Sequence, residues 1–169
     1  HRQPAWEMPE NQPSQHILSI NIGAARKVER RIDGQLQQAR FLTGDVAIYP
    51  AGVDYTLRWE QESEFILIGL DCDVLTQCAI DLFETETVEL MRLLTTQDPM
   101  IHSMALALKA ELDASQPGGR MYAEAIAHTL AIHLLRNYSV RKQSSKRLIE
   151  NGLPKYKLHQ VIDYIYDSL

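Results

Sequence analysis

Glutamate and histidine side chains at helical spacing are the first candidates for chemistry in this chain. Glu124 and His128 lie four residues apart in a segment of helical periodicity, which places both side chains on one helix face. Such a pair can transfer a proton or bind a ligand. Two neighbours on a packed helix can also simply hydrogen-bond each other, and we favour that interpretation. His128 and His133 point about 140° apart on the same helix, so they do not form a metal-binding pair.

The cysteines and the remaining histidines add no recognisable catalytic motif. Cys72 and Cys78 are six residues apart, a spacing that fits neither a CxxC redox pair nor a paired zinc motif, and we interpret both as ordinary thiols. The sequence contains no HExxH or His-x-His motif and no nucleophile with a base at a readable spacing. We therefore expect no catalytic residue, no metal site and no other cofactor.

Aromatic and polar side chains on predicted strands indicate a binding function. Tyr55, Leu57 and Trp59 share one face of one strand, and Val28 and Arg30 share one face of another. Aromatic walls with a few polar groups suit a small organic ligand, and an arginine suits its acidic or hydroxyl group. The same aromatic side chains can instead fill the core, and the sequence leaves both interpretations open.

These residues belong to a first half of the chain that is rich in short strands. Alternation of apolar and polar residues, with turn signals between the segments, predicts strands at 16–22, 27–32, 35–41, 46–49 and 55–59, and an apolar run of strand length follows at 65–70. The last of these is apolar on both faces, so we expect it to be covered on both sides. Asp33 and Gly34 predict a tight hairpin turn, because both turn positions need positive φ. Strands at this spacing predict a barrel or a sandwich over about 16–70.

The second half of the chain is predicted to form two packed helices over about 98–138. Asp98 is the expected N-cap of the first helix and Pro99 its first residue. The second helix spans 120–138, and its apolar side chains cover an arc of roughly 220°. A helix covered by one neighbour needs an arc nearer 100°, so we expect this helix to contact two surfaces.

Charge is distributed unevenly along the chain. The net charge is −5, but residues 1–138 contain 11 basic and 19 acidic side chains, whereas 139–157 contain six basic and one acidic. The acidic part should repel a phosphate backbone. The basic, serine-containing stretch at 139–154 has the composition of a linker, and an amphipathic helix is predicted at 155–169. No apolar run is long enough to span a membrane and no secretion signal is visible, so we expect a cytoplasmic protein with no membrane partner.

One turn of the strand-rich half resembles a known family motif. The pattern Gly44-Asp45-x-x-x-x-Pro50-x-Gly52-x-x-Tyr55-x-x-x-Trp59 resembles the second cupin motif. In metal-dependent cupin enzymes a metal-binding histidine stands where this chain has Tyr55. The first cupin motif would place a glutamate near Gln37 and a histidine pair near Arg30 and Ile32, or near Arg31 and Asp33. The resemblance therefore implies a cupin-like barrel without its usual metal site.

The order of the elements resembles the bacterial AraC family of transcription regulators. That resemblance implies an α+β fold: a cupin-like β-barrel of jelly-roll type, two packed helices, a linker and one terminal amphipathic helix. Residues 1–138 would form the regulatory domain and 139–154 the linker. Residues 155–169 would be the first helix of a truncated helix-turn-helix domain. The implied function is effector sensing and dimerisation without enzymatic activity, with DNA bound through the missing C-terminal domain.

The resemblance also implies candidate site residues. The unidentified small-molecule effector would contact Arg30, Gln37, Tyr55 and Trp59, with Trp6 on an N-terminal arm closing over the barrel mouth. A homodimer would form through one edge of the apolar arc of helix 120–138, with helix 100–112 as the alternative. The edge candidates are Met121, Ala125, Ile132, Leu135, Leu130 and Leu134. Two other functions remain open, a small cupin-type isomerase or dioxygenase and a ligand-free assembly module.

Overall fold

The computed structural model describes residues 2–3, 6–114 and 118–140 of the chain. The strands are β1 (Arg2–Gln3), β2 (Trp6–Asn11), β3 (His16–Asn21), β4 (Arg26–Ile32), β5 (Gln35–Phe41), β6 (Asp45–Tyr49), β7 (Tyr55–Trp59), β8 (Ser63–Leu70) and β9 (Thr96–Gln97). The helices are α1 (Cys72–Phe83), α2 (Pro99–Ala114) and α3 (Gly119–Tyr138). None of the helices in these ranges combines the length and hydropathy needed to cross a membrane.

Two antiparallel sheets form the body of the molecule. One has the strand order β1-β8-β3-β6-β9 and the other the order β2-β7-β4-β5. One apolar cluster lies between the sheets, and a second fills the space between the five-stranded sheet and the helices. The layers are therefore sheet, sheet and helices. This arrangement confirms the predicted α+β fold with a cupin-like, barrel-like pair of sheets.

Strand β3 shows how alternation divides the two cores. Leu18 and Ile20 are fully buried in the cluster against the helices. Ile17 packs with the cluster between the sheets, because successive side chains of a strand point to opposite faces. The Asp33–Gly34 turn forms as predicted, with φ angles of 50° and 74°, and sets β5 directly against β4.

The strand that is covered on both faces is β6, not β8. All five residues of β6 are buried, because the strand lies inside its sheet between β3 and β9, with the second sheet on one side and the helices on the other. In β8, Leu67 is 47% exposed and Gly69 is also exposed. The expectation of complete cover for 65–70 was wrong, since an apolar run does not reveal which neighbours cover it.

The two predicted helices over 98–138 are confirmed as α2 and α3, which pack against each other, and the helical layer contains a third helix that was not predicted. The additional helix α1 begins after Asp71, whose carboxylate accepts a hydrogen bond from the backbone N–H of Asp73. Its buried residues are Leu75, Cys78 and Ala79. Helix α3 packs against both α1 and α2, so its wide apolar arc is matched by two helical neighbours.

The packing of α3 corrects half of the predicted dimer residues. Leu130 and Leu134 are fully buried and Leu135 is 2% exposed, because all three pack into the chain's own core. They are therefore not available to a second subunit. Met121, Ala125 and Ile132 lie on the exposed side of the helix. The structure thus decides which edge of the arc faces the sheet.

The predicted linker begins inside the folded domain. Ser139 forms an isolated antiparallel bridge with Leu90, and the N–H of Val140 donates to the carbonyl of Glu89 at 2.9 Å. These contacts hold the end of α3 against the segment before β9. The rest of the predicted linker and the predicted helix at 155–169 lie outside the described residues.

Asp98 joins the last two helices at their ends. Its Oδ1 accepts hydrogen bonds from the backbone N–H groups of Met100 and Ile101, both at 3.0 Å, as expected of an N-cap. Its Oδ2 lies 2.7 Å from His133 Nε2 and accepts the hydroxyl of Tyr138 at 2.6 Å. Burial opposes ionisation of Asp98, but these hydrogen bonds outweigh it and lower the pKa of the carboxyl group.

Replacing Asp98 should separate its two structural roles. Asp98→Ala removes both the cap and the tie to α3, and we expect a loss of about 2–3 kcal/mol in the free energy of unfolding. Asp98→Asn retains a capping oxygen and should lose less. Asp113→Ala, at an exposed position of α2, is the control and should change stability by under about 0.5 kcal/mol. Urea denaturation measures all three, and equal losses for Asp98→Ala and Asp113→Ala would contradict the proposed tie.

The lowered pKa of Asp98 also predicts a dependence of stability on pH. A carboxyl group with a folded-state pKa below its ordinary value stabilises the fold above that ordinary value, 3.8 here. This contribution should be lost as the pH falls through the lowered pKa. In urea denaturation at pH 7 and near pH 3, the difference between the native protein and Asp98→Asn should therefore shrink at the acidic pH.

Candidate functional site

A cavity of about 490 Å³ lies between the two sheets. The five-stranded sheet contributes the wall residues Ile17, Ser19, Tyr49, Phe65 and Leu67. The other wall comes from β2, β4 and β7 and consists of Met8, Arg26, Tyr55, Leu57 and Trp59. The rim is the loop between β2 and β3, with Gln12 to Gln15. The volume falls within the range of small-molecule sites.

Strand β7 presents the predicted aromatic residues to this cavity. Tyr55, Leu57 and Trp59 alternate with outward-facing residues, and all three line the cavity. Tyr55 and Trp59 are each 5% exposed, so they are core residues as well as wall residues. The predicted arm forms an added strand, β2, and its backbone pairs Trp6 with Trp59 and Met8 with Leu57. The side chain of Trp6 lies outside the described part of the chain.

Two stacked tyrosines, one from each wall, contribute polar groups to the cavity. The rings of Tyr49 and Tyr55 lie 4.5 Å apart between centroids with an interplanar angle of 23°. Burial raises the pKa of both hydroxyls, while a side-chain hydrogen bond with Asn11 acts against it at Tyr55. Both phenols are therefore neutral at physiological pH and can each donate a hydrogen bond.

Arg30 is not exposed to the cavity that it was expected to serve. Its side chain is completely buried, and every N–H of the guanidinium has an acceptor within the chain. Nε and Nη2 donate to Gln37 Oε1 at 3.1 and 2.7 Å. The other three bonds go to backbone carbonyls, those of Arg92 at 2.9 Å, Leu93 at 3.2 Å and Ile48 at 3.4 Å.

The assignment of Arg30 and Gln37 to the effector is therefore corrected. The two residues stand directly opposite each other on β4 and β5, so the amide oxygen of Gln37 is already used by the guanidinium. The Tyr49 ring centroid lies 5.4 Å from Arg30 Cζ, and Tyr49 is itself on the cavity wall. Arg30 acts structurally: it attaches the segment before β9 to both sheets. Burial lowers its pKa, but an arginine remains charged.

The sequence reasoning missed a second inward-facing arginine, Arg26. It is 5% exposed and lines the cavity. Its Cζ lies 5.0 Å from the Phe41 ring centroid and 5.9 Å from that of Phe65. Arg26 shares the inward face of β4 with Val28 and Arg30. The alternation that predicted that face would have included Arg26 if the strand had been extended by one residue.

The Pro50-Ala51-Gly52 turn and the β2–β3 loop are fastened to each other at the rim. The N–H of Gly52 donates to the carbonyl of Pro13 at 2.9 Å, and Gln12 Nε2 donates to the Gly52 carbonyl at 3.2 Å. The N–H of Ala51 donates to His16 Nδ1 at 3.1 Å. His16 must therefore carry its proton on Nε2, and its burial lowers its pKa.

The remaining candidates from the sequence do not form a second site. The ring of His128 hydrogen-bonds the backbone carbonyl of Glu124 at 2.8 Å, and the Glu124 carboxylate instead accepts Arg120 Nε at 2.8 Å. The expected side-chain hydrogen bond between Glu124 and His128 was therefore wrong. Within the described ranges, no three histidine, cysteine or acidic side chains are grouped to hold a metal ion.

Comparisons with known proteins find similar structures but no family. No family model matches the chain, and no curated protein matches it. Bacillus subtilis oxalate decarboxylase aligns with 18% identity over 41% of this chain and 19% of that chain, at a TM-score of 0.34. A DUF861 family protein from Thermotoga maritima aligns with 13% identity over 41% of this chain and 75% of that chain, at 0.35. A putative mannose-6-phosphate isomerase from Ralstonia eutropha aligns with 12% identity over 41% and 68%, at 0.36.

These neighbours correct the conclusion that the chain is not an enzyme. They are cupin-fold proteins, and two of them bear the names of enzymes, a decarboxylase and a putative isomerase. The identities are low, and the chain spans about a fifth of the oxalate decarboxylase, 19% of its length. The likeness is one of fold and covers 41% of this chain.

The buried position of Arg30 predicts a large loss of stability when it is replaced. Arg30→Met leaves the Gln37 amide and three backbone carbonyls without their donor, so we expect a loss of about 2–4 kcal/mol in the free energy of unfolding. Arg31→Met is the matched control, because Arg31 is the next residue of β4 and is exposed. It should change stability by under about 0.5 kcal/mol. Urea denaturation distinguishes the two, and a small effect at Arg30 would contradict its structural role.

Proposed function

We propose that this chain is the effector-sensing and dimerisation portion of a bacterial DNA-binding transcription regulator. The cavity between the sheets carries this proposal. It is lined by aromatic and aliphatic side chains with a few polar groups, as expected for a small organic ligand. The order of elements, a cupin-like barrel followed by helices, resembles that of the AraC family and supports the proposal. DNA contact is assigned to sequence beyond the described residues.

An incompletely covered wall supports binding of a ligand. Leu67 is 47% exposed although it lies on the wall between the sheets, and Leu57 is half-buried. A ligand with an apolar body would cover both side chains, and the apolar area removed from water would stabilise the complex by about 25 cal/mol per Å².

The position of β2 provides a route from the ligand to the rest of the protein. Met8 and Asn11 of this edge strand line the cavity, and the strand pairs only with β7 in its sheet. A ligand in the cavity would contact this edge strand as well as both inner walls. Binding would therefore favour the docked position of the N-terminal segment over any other position.

Filling the cavity should abolish stabilisation by ligands. Leu67→Trp places an indole on the cavity wall at a half-exposed position. Leu36→Trp is the matched control, since Leu36 is 55% exposed on β5 and does not line the cavity. In thermal shift measurements with small organic acids, alcohols and sugars, we expect at least one class to raise the Tm of the native protein and of Leu36→Trp, but not of Leu67→Trp.

Chemical analysis of the incubated ligand distinguishes the two functions that the cavity allows. A ligand recovered unchanged agrees with a sensor. Conversion by the native protein and by Leu36→Trp, but not by Leu67→Trp, would instead identify a cupin-type enzyme. If no compound raises the Tm of the native protein, the proposal of a ligand-binding domain is contradicted.

The exposed side of α3 is the proposed dimer surface. Met121, Ala125 and Ile132 lie four and then seven residues apart, which places them on one stripe of the helix. Met121 is 73% exposed and Ile132 is 37% exposed. Paired with the same stripe of a second copy, these side chains would be removed from water, as in a coiled-coil seam.

A charge on this stripe should dissociate the dimer. We expect Ile132→Asp to shift the protein to monomers in sedimentation velocity at micromolar concentration, because the carboxylate would be buried without a partner. Leu106→Asp tests the alternative surface on α2, where Leu106 is 43% exposed, and should leave the dimer intact. If only Leu106→Asp dissociates the dimer, the interface lies on α2 and not on α3. If the native protein is monomeric, neither helix forms a dimer interface.

A further inference from the structure

Arg26 is a buried cation that forms no ion pair with any of the residues the structure describes. Its side chain is 5% exposed, and its Cζ lies near the rings of both Phe41 and Phe65. Among the described residues, no carboxylate forms an ion pair with it. A buried charge without a partner is unfavourable, and proteins normally pair it. Cation–π contacts with aromatic rings offset part of that cost. They do not provide acceptors for the N–H groups, which point outward in the plane of the guanidinium.

Only one nitrogen of this guanidinium is hydrogen-bonded within the described residues. Nη1 donates to Asn21 Oδ1. Asn21 is fully buried, and its Nδ2 donates to the carbonyls of Ala24 and Phe41, both at 3.2 Å. These two bonds determine the orientation of the amide, so Oδ1 faces Nη1. Asn21 therefore holds Arg26 by one end of its head group.

The other edge of the guanidinium has no hydrogen-bond acceptor among the residues that the structure describes. Nε is buried and has no hydrogen-bond partner, and no bond is made by Nη2 among the described residues. Nε–H and one N–H of Nη2 point in the same direction and form a fork that matches the two oxygens of a carboxylate. On the same face of the strand, Arg30 has an acceptor for every N–H. Of these two arginines, therefore, only Arg26 has a pair of N–H donors without an acceptor among the described residues.

Resting on the proposed ligand-binding function, we propose that the ligand is a small organic carboxylate whose carboxyl group binds the Nε–Nη2 fork of Arg26. Its apolar body lies against Trp59, Phe65 and Leu67, which line the same cavity. The single negative charge of a carboxylate matches the single positive charge of the Arg26 guanidinium. A phosphate monoester would bring close to two, and its tetrahedral head fits the planar fork less well.

Matched acids and amides test this proposal directly. The probes are phenylacetate with phenylacetamide, benzoate with benzamide, and phenyl phosphate, each titrated into the full chain by calorimetry. We expect the carboxylates to bind at least about ten-fold more tightly than the amides of the same shape, since a hydrogen-bonded charge pair has that magnitude. Phenyl phosphate should bind more weakly than the carboxylates, and tighter binding of phenyl phosphate would overturn the choice of a carboxylate.

Variants of Arg26 separate the fork from the rest of the cavity. Arg26→Met should bring the affinity for phenylacetate down to that for phenylacetamide while leaving the amide unchanged. Arg26→Lys keeps the charge without the fork and should lose most of the preference, so it decides the matter if Arg26→Met does not fold. Lys27→Met is the control at the adjacent, exposed position of β4 and should retain the preference.

The outcomes for the two proposals are distinct. Equal binding of acids and amides by the native protein, abolished by Leu67→Trp, would overturn the role of Arg26 and leave the ligand-binding function standing. A carboxylate preference that persists in Arg26→Met and Arg26→Lys would also overturn it. If neither acids nor amides bind the native protein, the carboxylate proposal fails, while the wider panel of alcohols and sugars still tests the binding function.

Discussion

The completely buried guanidinium of Arg30 imposes a requirement that much of the structure satisfies. The donors of a charge removed from water must be hydrogen-bonded. The five hydrogen bonds of Arg30 end on four oxygens, which belong to the opposed strand β5, the inner strand β6 and the segment before β9. Gln37 is opposite because the Asp33–Gly34 turn sets the register. The carbonyls of Arg92 and Leu93 are close to Arg30 because that segment lies beside β6, where the N–H of Ile48 also donates to the Leu93 carbonyl at 2.9 Å. The guanidinium thus joins β4, β5, β6 and the segment before β9.

The same strand face carries a second arginine with the opposite character. Arg30 is saturated by the chain, whereas Arg26 is held by one end and retains an unused fork. The contrast arises from the neighbours: Arg30 faces carbonyl oxygens, and Arg26 faces the rings of Phe41 and Phe65. A protein that only needed a stable core at this place would have an apolar residue there. A buried cation beside a cavity is instead typical of recognition.

The helical layer completes the structure by covering the outer face of the five-stranded sheet. Strand β6 is buried throughout because helices cover one of its faces and the other sheet covers the second. Asp98 links α2 to the end of α3 through its hydrogen bonds with His133 and Tyr138. The bridge between Ser139 and Leu90 then attaches the end of α3 to the segment before β9. Arg30 binds the same segment. The five-stranded wall of the cavity is therefore supported by the helices behind it and by the segment that Arg30 binds.

Much of the local structure could be predicted from the sequence. Alternation identified β3 and β4, the Asp33–Gly34 pair identified the hairpin, and Asp98 identified the start of α2. These features depend on neighbours in the chain, and the residue types specify them directly. Helix α1 could also have been predicted, since Asp71 is an N-cap residue and the apolar residues Leu75, Cys78 and Ala79 follow it at helical spacing.

Tertiary structure alone decided the candidate site. The sequence placed Arg30 on the correct face but could not show that Gln37 and carbonyls more than 60 residues away, at 92 and 93, would satisfy it. It also could not show that Leu130 and Leu134 face the chain's own core. Burial and hydrogen bonding between distant segments depend on how sheets and helices pack. The sequence by itself determined strands, turns and inward faces, and the packing decided which inward side chains are satisfied and which remain free to bind.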